Sequence, residues 1–465
     1  MQDDRNFNDE FDKIIQDETS ENIENDSVQI DPAPTEQPKH KRGGWKKFGA
    51  VVLAIALFFA GYLASSLQFD SEMRALAKIK RAIQDKYYEE ITDEEFYGVL
   101  FDAINEDLLD DYSKYMTPDE YASVLTEATG EWSGIGLTFL TEDSAGNPIM
   151  LVRRVSGNSP AEKVGIREGD YIVGYGLIDE WLIDSEKYGA FYAFVQERTK
   201  GEKFLIKVRR GEQLETVEIY KDTFVENYVF YRTNTTAYTF TGSQATEWQE
   251  TGDKLSCLDD KTAYIRLTQF NGSAGTEFAR AMEQFKTDGK TNLVLDLRDN
   301  GGGYMDILQE ISSYFCKGST GKSLIAVAQY REGQKEQFYS KKSVYAEYFT
   351  AESQIKVLAN DGTASASECL IGCMLDYGAI SYADICLIEN FGVAKTYGKG
   401  IMQSTFPFGL FNSDAMKLTT AKITWPKSGN CIHGRGILPE DGAKTSSQSF
   451  EKDKEISLAI AELFK

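Results

Sequence analysis

The pattern of apolar and polar positions divides most of the chain into three regions. Across residues 70–128, apolar side chains recur at intervals of three and four, which predicts amphipathic helices. Across residues 129–222, short apolar runs are separated by glycine-containing turns, which predicts a domain built of strands. Across residues 262–465, strand-like apolar runs alternate with helical periodicity, which predicts an α/β domain. We therefore expect an α/β and α+β multidomain protein.

A long uncharged run precedes these regions at residues 48–69. About 20 apolar residues cross a bilayer as a helix, and a basic flank marks the cytoplasmic side. The flank here is Lys39, Lys41, Arg42, Lys46 and Lys47. We expect a single-pass anchor in the cell membrane, with the N-terminus cytoplasmic and later domains extracytoplasmic. A cleavable signal peptide is the alternative, because small residues occur near Ala60. A buried core helix would leave the one-sided basic flank unexplained.

The net charge and the cysteine spacing limit the classes of partner and ligand that this chain is expected to bind. The net charge of −23 argues against nucleic acid, because phosphate contacts need clustered Lys and Arg. Residues 1–47 form an acidic tail with a basic flank, and we expect this tail to be disordered. All six cysteines follow residue 250, in a spacing that fits no zinc pattern. We expect no metal and no cofactor.

In the helical region, the segment from Asp110 to Tyr115 interrupts the second predicted helix. Thr117 and Pro118 then predict the start of a third, as N-cap and first helical residue. No chemistry is visible here, so we interpret residues 70–128 as a helical collar or a surface for homodimers.

Three motifs in the second region occur in the order typical of PDZ domains. They are the loop Gly134-Ile135-Gly136-Leu137, the helix start Ser159-Pro160-Ala161, and the turn Gly165–Asp170. Residues 129–222 therefore resemble a PDZ domain, with an insertion at 177–185. The resemblance implies that the loop binds a substrate's C-terminal carboxylate while the peptide adds as a strand. We interpret residues 223–261 as an inserted linker or hairpin.

Candidate nucleophilic chemistry lies in the third region. Ser365 stands in a run of small residues, and Lys399 lies between two glycines. Each has a plain structural alternative, as part of a helix cap and as a solvated turn residue. A serine nucleophile needs a base, and His433 is the only histidine after the predicted anchor. No Gly-x-Ser-x-Gly motif supports a Ser/His/Asp triad, whereas a lysine whose pKa is lowered by burial can replace histidine.

Four motifs make the assignment more specific. Asp296–Gly303, Thr363–Glu368, Tyr397–Gln403 and Gly436–Asp441 stand in the order of the carboxyl-terminal processing peptidases, a family of tail-specific serine proteases with a PDZ domain, which this chain resembles.

The resemblance implies a role for each matching residue of the third region. Ser365 would be the nucleophile and Lys399 the general base, with Gln403 one helical turn on orienting the lysine amine. The N–H groups of Ala366 and of a glycine in the Gly-rich loop, Gly302 in our assignment, would form the oxyanion hole.

Two departures from the family pattern concern the site. Thr363 replaces the usual first serine of its motif, and the interval of 34 residues from Ser365 to Lys399 is longer than usual. Lys395 is therefore a second candidate base, although it lacks the flanking glycines and the following glutamine. Asp376 matches an acidic position in some members, and a helix-surface role is an equal alternative.

Together these observations predict a membrane-anchored, extracytoplasmic serine endopeptidase that cleaves proteins at or near their C-termini by a Ser/Lys dyad. Its partners would be proteins or peptides with free C-termini. The alternative is a catalytically inert PDZ scaffold that binds C-termini.

Overall fold

The computed structural model describes residues 70–143, 145–178, 183–184, 187–241, 247–409, 413–449, 451 and 453–465. The predicted tail and the predicted anchor at 48–69 lie outside these residues. Across the described ranges, no helix combines the length and apolar character needed to cross a bilayer.

Short helices separate the strands along much of the chain. The α-helices are α1 (Ser71–Lys86), α2 (Asp93–Ala103), α3 (Pro118–Ala128), α4 (Pro160–Lys163), α5 (Tyr188–Gln196), α6 (Ala274–Thr287), α7 (Met305–Ile311), α8 (Tyr345–Tyr348), α9 (Ala366–Asp376) and α10 (Lys454–Leu463). A π-helical turn covers Ile104–Leu108, and 3₁₀ turns cover Ser312–Tyr314, Tyr382–Asp384 and Pro439–Asp441.

The strands fall into two groups along the chain. The first twelve are β1 (Lys114–Met116), β2 (Glu131–Gly134), β3 (Leu137–Glu142), β4 (Pro148–Val155), β5 (Tyr171–Gly176), β6 (Ile183–Asp184), β7 (Lys203–Arg210), β8 (Gln213–Tyr220), β9 (Asp222–Val225), β10 (Val229–Arg232), β11 (Ala237–Thr241) and β12 (Glu247–Thr251). The others are β13 (Thr262–Leu267), β14 (Asn292–Asp296), β15 (Leu324–Tyr330), β16 (Lys335–Tyr339), β17 (Ile355–Ala359), β18 (Ile385–Ile388), β19 (Ile401–Pro407), β20 (Ala415–Thr424) and β21 (Lys444–Ser446).

The chain forms two compact units, with the boundary between Phe96 and Tyr97. In the first unit, the Asp70 side chain caps α1 by accepting the Met73 N–H at 2.8 Å. Gln84 donates to Asp93 at 2.7 Å and so links α1 to the start of α2. The predicted helices of this region are confirmed.

In the second unit, the main sheet has the strand order β12-β11-β10-β13-β14-β17-β18-β21 and is parallel from β13 to β21. Its central strands are apolar on both faces. Leu293 and Leu295 pack with α6, α7 and α9 on one face, whereas Val294 packs with α10 on the other. Alternate residues of a strand point to opposite faces, so a continuous apolar run suits a sheet covered by helices on both sides.

Strands β10, β11 and β12 extend this sheet. β10 pairs antiparallel with β13, and β11 and β12 follow as a meander. Much of the segment that we interpreted as a linker or hairpin is therefore part of the main sheet. The backbone groups at the edge of β13 need hydrogen-bond partners, and β10 provides them.

A second sheet has the order β1-β20-β15-β16, with β19 also paired to β20. β1 lies inside the region expected to be helical. Its three residues, Lys114–Met116, pair with Lys417, Met416 and Ala415 of β20. This short strand depends on a partner far along the chain, which local periodicity does not reveal. The cap before α3 is as predicted, since the Thr117 hydroxyl accepts the Glu120 N–H at 3.3 Å.

A third sheet contains β3-β4-β5-β7-β8, with β6 paired to β5. It has its own core, in which Met150, Val152, Phe204 and Ile206 are fully buried together with residues of α4 and α5. This region is built mainly of strands, as the sequence predicts, and α5 is longer than α4.

Candidate active site

Sheet topology brings the serine motif to the Gly-rich loop. β14 and β17 are parallel neighbours, so the segments that follow them emerge at the same edge of the sheet. There the Asn300 carbonyl accepts the Ala364 N–H at 2.9 Å and the Ser367 hydroxyl at 3.0 Å. The two motifs are therefore joined at one backbone carbonyl.

Ser365 has a backbone conformation that is rare for a residue with a side chain. It lies directly before α9 with φ 56° and ψ −115°. Strained residues of this kind cluster at active sites, where surrounding structure holds them in place. The next residue, Ala366, is the first of α9, and N–H groups of the first helical turn have no acceptor within the helix. The Ala366 N–H is therefore suited to an oxyanion.

Gly302 lies against the serine. Its φ is +100°, and a Cβ there would lie 2.7 Å from the Ser365 Cβ and 2.8 Å from the Ala366 nitrogen. Only glycine fits both the conformation and the space. The Gly302 N–H donates to the Asn300 side chain at 3.0 Å. A substrate oxyanion would have to compete with that acceptor, so the donor role of Gly302 stays a prediction.

Glu368 connects the serine motif to the lysine motif. Its Oε2 accepts the backbone N–H of Ser365 at 3.0 Å and that of Lys399 at 2.9 Å. Its Oε1 accepts the Gly398 N–H at 2.8 Å and the Thr396 hydroxyl at 2.6 Å. Burial raises the pKa of the Glu368 carboxyl, and these hydrogen bonds oppose that shift.

Glu368 is the last residue of the serine motif, and the motif alone predicts no role for it. An acid three residues after a helix-capping serine is a recognisable capping signal. The capping pattern accounts for the Ser365 N–H contact, but it does not reveal the contact with Lys399.

Lys399 is half-buried, and its Nζ lies 4.7 Å from the centre of the Tyr112 ring. Burial lowers the pKa of Lys399, and the positive charge of Lys417 lowers it further, whereas Asp110 and Glu368 oppose the shift. A lowered pKa is the direction that a lysine general base requires. Within the described residues, no hydrogen bond joins the Lys399 Nζ to the Ser365 Oγ.

The predicted relation of Gln403 to Lys399 is wrong in one respect. Gln403 belongs to strand β19, not to a helix, so it does not lie one helical turn beyond the lysine. A strand rises about 3.3 Å per residue against about 1.5 Å in a helix, which moves the glutamine away. Its Nε2 donates to the Thr419 hydroxyl at 3.4 Å. Its orienting role stays a prediction.

The other candidates lie around this group. Lys395 is half-buried in the loop between β18 and β19. Asp376, at the end of α9, accepts the N–H groups of Lys427 and Ser428 at 2.8 and 2.9 Å and so holds the turn after β20. His433 is exposed. The residue after it, Gly434, donates its N–H to the Gly398 carbonyl at 2.8 Å.

The predicted peptide-binding loop, Gly134 to Leu137, belongs to a different surface. Gly136 has a φ of +79°, and a Cβ there would lie 2.2 Å from the Cβ of Ser159. Among the described residues, β3 pairs with β4 alone in its sheet, so it is an edge strand. Phe139 of β3 contacts Tyr188 and Phe191 of α5, with ring centres 5.7 and 5.9 Å apart. The loop therefore opens onto an edge strand beside a helix.

Arg153 of β4 links this sheet to the Gly-rich loop. Its guanidinium forms ion pairs with Asp299, directly before Asn300, and with Asp361 at 2.8 Å. Burial raises the pKa of the Asp299 carboxyl, and the Arg153 charge is the strongest opposing influence. The third sheet thus contacts the segment that supports Ser365.

The match to a known family covers this site. Residues 261–441 match the model of peptidase family S41. This segment belongs to peptidase family S41. The S41 segment contains Ser365, Lys399, Glu368 and the Gly-rich loop, and the chain is a serine-type peptidase.

Proteins that are similar to this chain have related names. A probable CtpA-like serine protease of Staphylococcus saprophyticus is 28% identical over 394 residues, covering 84% of this chain and 70% of that protein. The carboxyl-terminal-processing protease of a Picosynechococcus species is 27% identical over 416 residues, covering 84% of this chain and 88% of that protein. The solved photosystem II D1 C-terminal processing protease aligns with a TM-score of 0.49 at 19% identity, over 84% of this chain and 97% of that one. The family expected from the sequence motifs is confirmed.

Proposed function

We propose that this S41 peptidase cleaves proteins at or near their C-termini with Ser365 as nucleophile and Lys399 as general base. The observation that carries this proposal is the Glu368 carboxylate, which holds the backbones of both residues through one oxygen. The lowered pKa of Lys399 supports the same assignment, because the base must be a neutral amine when the reaction starts.

The reaction would proceed through an acyl-enzyme. The neutral Lys399 amine accepts the hydroxyl proton while the Ser365 Oγ attacks the scissile carbonyl carbon. The resulting ammonium then donates that proton to the leaving amine. Water, activated by the same amine, hydrolyses the ester. The Ala366 N–H would stabilise the oxyanion in both steps. For the first step, the Lys399 Nζ must approach the Ser365 Oγ, and Gln403 must reorient from Thr419 if it is to orient the amine.

The third sheet would act as a PDZ domain that captures the substrate tail. The edge strand β3, the helix α5 beside it and the Gly134–Leu137 loop at its start support this role. Together they offer unpaired backbone groups for an added strand and N–H groups for a carboxylate. The name of the Picosynechococcus relative refers to carboxyl-terminal processing, which fits such a substrate.

The dyad is tested with a fluorescent peptide that has a free apolar C-terminus. Ser365→Ala and Lys399→Ala should each reduce kcat by roughly 10³-fold or more. When residues act as one catalytic unit, the loss of either one removes most of the rate enhancement. Lys395→Ala and His433→Ala are matched controls for the two rival bases, and both should stay active. Near-parental turnover in Lys399→Ala, with loss of turnover in either control, would assign the base elsewhere.

Tail capture is tested by amidating the peptide C-terminus. Loss of the carboxylate should raise KM and leave kcat nearly unchanged, because that contact lies away from the scissile bond. Equal kinetic constants for acid and amide would remove the basis for carboxylate recognition. The inert-scaffold alternative predicts tight tail binding without turnover, and without labelling of Ser365 by a serine-reactive phosphonate.

We also propose that residues 48–69 anchor the enzyme in the cell membrane with its other domains extracytoplasmic. The apolar run and its basic flank support this topology. The full chain should fractionate with membranes, and removal of residues 1–69 should release it. An N-terminus that begins near Ala60 in the mature protein would indicate the cleaved signal peptide instead.

A further inference from the structure

Tyr112 covers the amine of Lys399. The residue lies far from Lys399 in sequence, yet the Lys399 Nζ is 4.7 Å from the centre of its ring. The Tyr112 hydroxyl donates to the hydroxyl of Tyr397 at 3.0 Å, and the two rings meet edge to face. Tyr397 is two residues before Lys399, so the covering ring is also tied to the lysine motif itself.

The segment around Tyr112 is held by the second sheet. The Ser113 hydroxyl accepts the Thr419 N–H at 2.8 Å, and β1 pairs with β20 from Lys114 onward. Tyr115 donates to Asp414 at 3.0 Å. These contacts with β20 fix the position of the segment that carries Tyr112. The same strand contains Lys417 and also Thr419, which is the hydrogen-bond partner of Gln403.

The charged and titratable groups around Lys399 come from four elements. Asp110 lies before β1, Glu368 is in α9, Lys417 is in β20, and Tyr397 precedes the lysine in its own loop. Among the described residues, no carboxylate forms an ion pair with the Lys399 Nζ. The Tyr112 ring face is therefore its direct partner. An aromatic face attracts a cation and has much less affinity for a neutral amine.

We propose that Tyr112 is a positioning residue for Lys399: its ring face holds the protonated amine and releases the neutral amine toward Ser365. This inference rests on the proposed Ser365/Lys399 dyad. Because the ring stabilises the ammonium form, it raises the lower pH limit of activity. A weaker ring face would allow Lys399 to lose its proton, and to act as base, at lower pH.

The test changes the charge distribution of the ring but not its shape. Tyr112→Phe is compared with replacement of Tyr112 by trifluorophenylalanine, whose fluorines weaken the negative ring face. Two quantities are measured against pH: kcat/KM, whose acid limb reports the free enzyme, and the rate at which an amine-reactive reagent labels Lys399. Labelling is followed by peptide mass spectrometry in a Ser365→Ala background, so it requires no activity.

The acid limb and the labelling midpoint should both move to lower pH in the fluorinated protein, by roughly half a unit or more relative to Tyr112→Phe. Tyr397→Phe removes the hydroxyl partner and keeps the ring face, so its profile should stay close to that of Tyr112→Phe. Coincident curves for Tyr112→Phe and the fluorinated protein would overturn the inference. If Lys399→Ala kept parental activity, the dyad itself would fail, and the labelling midpoint would still decide whether Tyr112 acts on Lys399.

Discussion

The carboxylate of Glu368 accepts the backbone N–H of Lys399 at 2.9 Å. The same oxygen accepts the backbone N–H of Ser365, so the proposed nucleophile and the proposed base are held by one buried acid. Neither contact involves a reacting side chain. In the proposed mechanism, Glu368 would therefore affect catalysis only through the position of these two backbones.

Glu368→Gln should reduce kcat by roughly 100-fold with a smaller change in KM. Glutamine keeps the shape of the side chain, but its NH₂ group would face donors whose hydrogen bonds the carboxylate now accepts. Hydrogen bonds to a charged group contribute about 1.5–3 kcal/mol each. Steady-state kinetics on the fluorescent peptide measures the effect. Glu162→Gln, at the same position after Ser159 in α4, is the matched control. Similar losses in both variants would indicate general destabilisation.

Gly302→Ala should abolish most activity without preventing folding of the third sheet. The added methyl group would press on the Ser365 Cβ and the Ala366 nitrogen, and the positive φ adds strain. We expect a loss of about 100-fold or more in kcat, the size seen when an oxyanion-hole donor is removed. At Gly301 a Cβ would meet no atom of the described part of the chain within 4 Å, so Gly301→Ala should lose far less activity. Equal losses would show that crowding of Ser365 is not the cause.

Glu277 should make stability depend on pH. This buried residue of α6 accepts the N–H groups of Tyr228 and Val229 at 2.7 and 3.0 Å, and burial raises its pKa from 4.5 to about 7. The folded state therefore keeps a proton that the unfolded chain releases between these values. The associated stability is fully present below pH 4.5 and is lost as the pH rises through about 7, with an upper size of about 3 kcal/mol.

Glu277→Gln should flatten this dependence, because the amide cannot titrate. Urea unfolding at a series of pH values between 4 and 8, roughly the interval that the shift spans, measures it. Glu283→Gln changes an exposed acid of the same helix and should keep the parental slope. A parental slope in Glu277→Gln as well would place the titrating group elsewhere.

Arg153 should stabilise the Gly-rich loop through Asp299. Arg153→Gln leaves two acids without their partner, and removing one member of a partly buried pair costs on the order of 3 kcal/mol. We expect lower stability and lower kcat. Asp299→Asn in the same chain should recover part of both, since asparagine tolerates the positive φ at that position. Additive losses in the double variant, measured by a thermodynamic cycle, would show that the two residues do not interact.

Local sequence was sufficient to predict most elements and to propose the residues of the site. Apolar runs that alternate with helical periodicity predicted the α/β character of residues 262–465. Glycine-bounded runs predicted the third sheet, and Thr117 with Pro118 predicted the start of α3. These signals depend on neighbouring residues, so they can be interpreted without the fold. Ser365, Lys399 and the Gly-rich loop were recognisable for the same reason, as motifs with a fixed order.

Tertiary structure decided the features that depend on contacts between distant segments. β1 exists because β20 pairs with it, and β10 to β12 belong to the main sheet because β13 offers an edge to β10. Gln403 lies on a strand because the segment that contains it, β19, also pairs with β20. The junction at Glu368 and the ring of Tyr112 over Lys399 require segments that no periodicity relates. The sequence alone thus determined which residues can carry the chemistry, and the packing of β20, α9 and the Gly-rich loop decided how those residues are held.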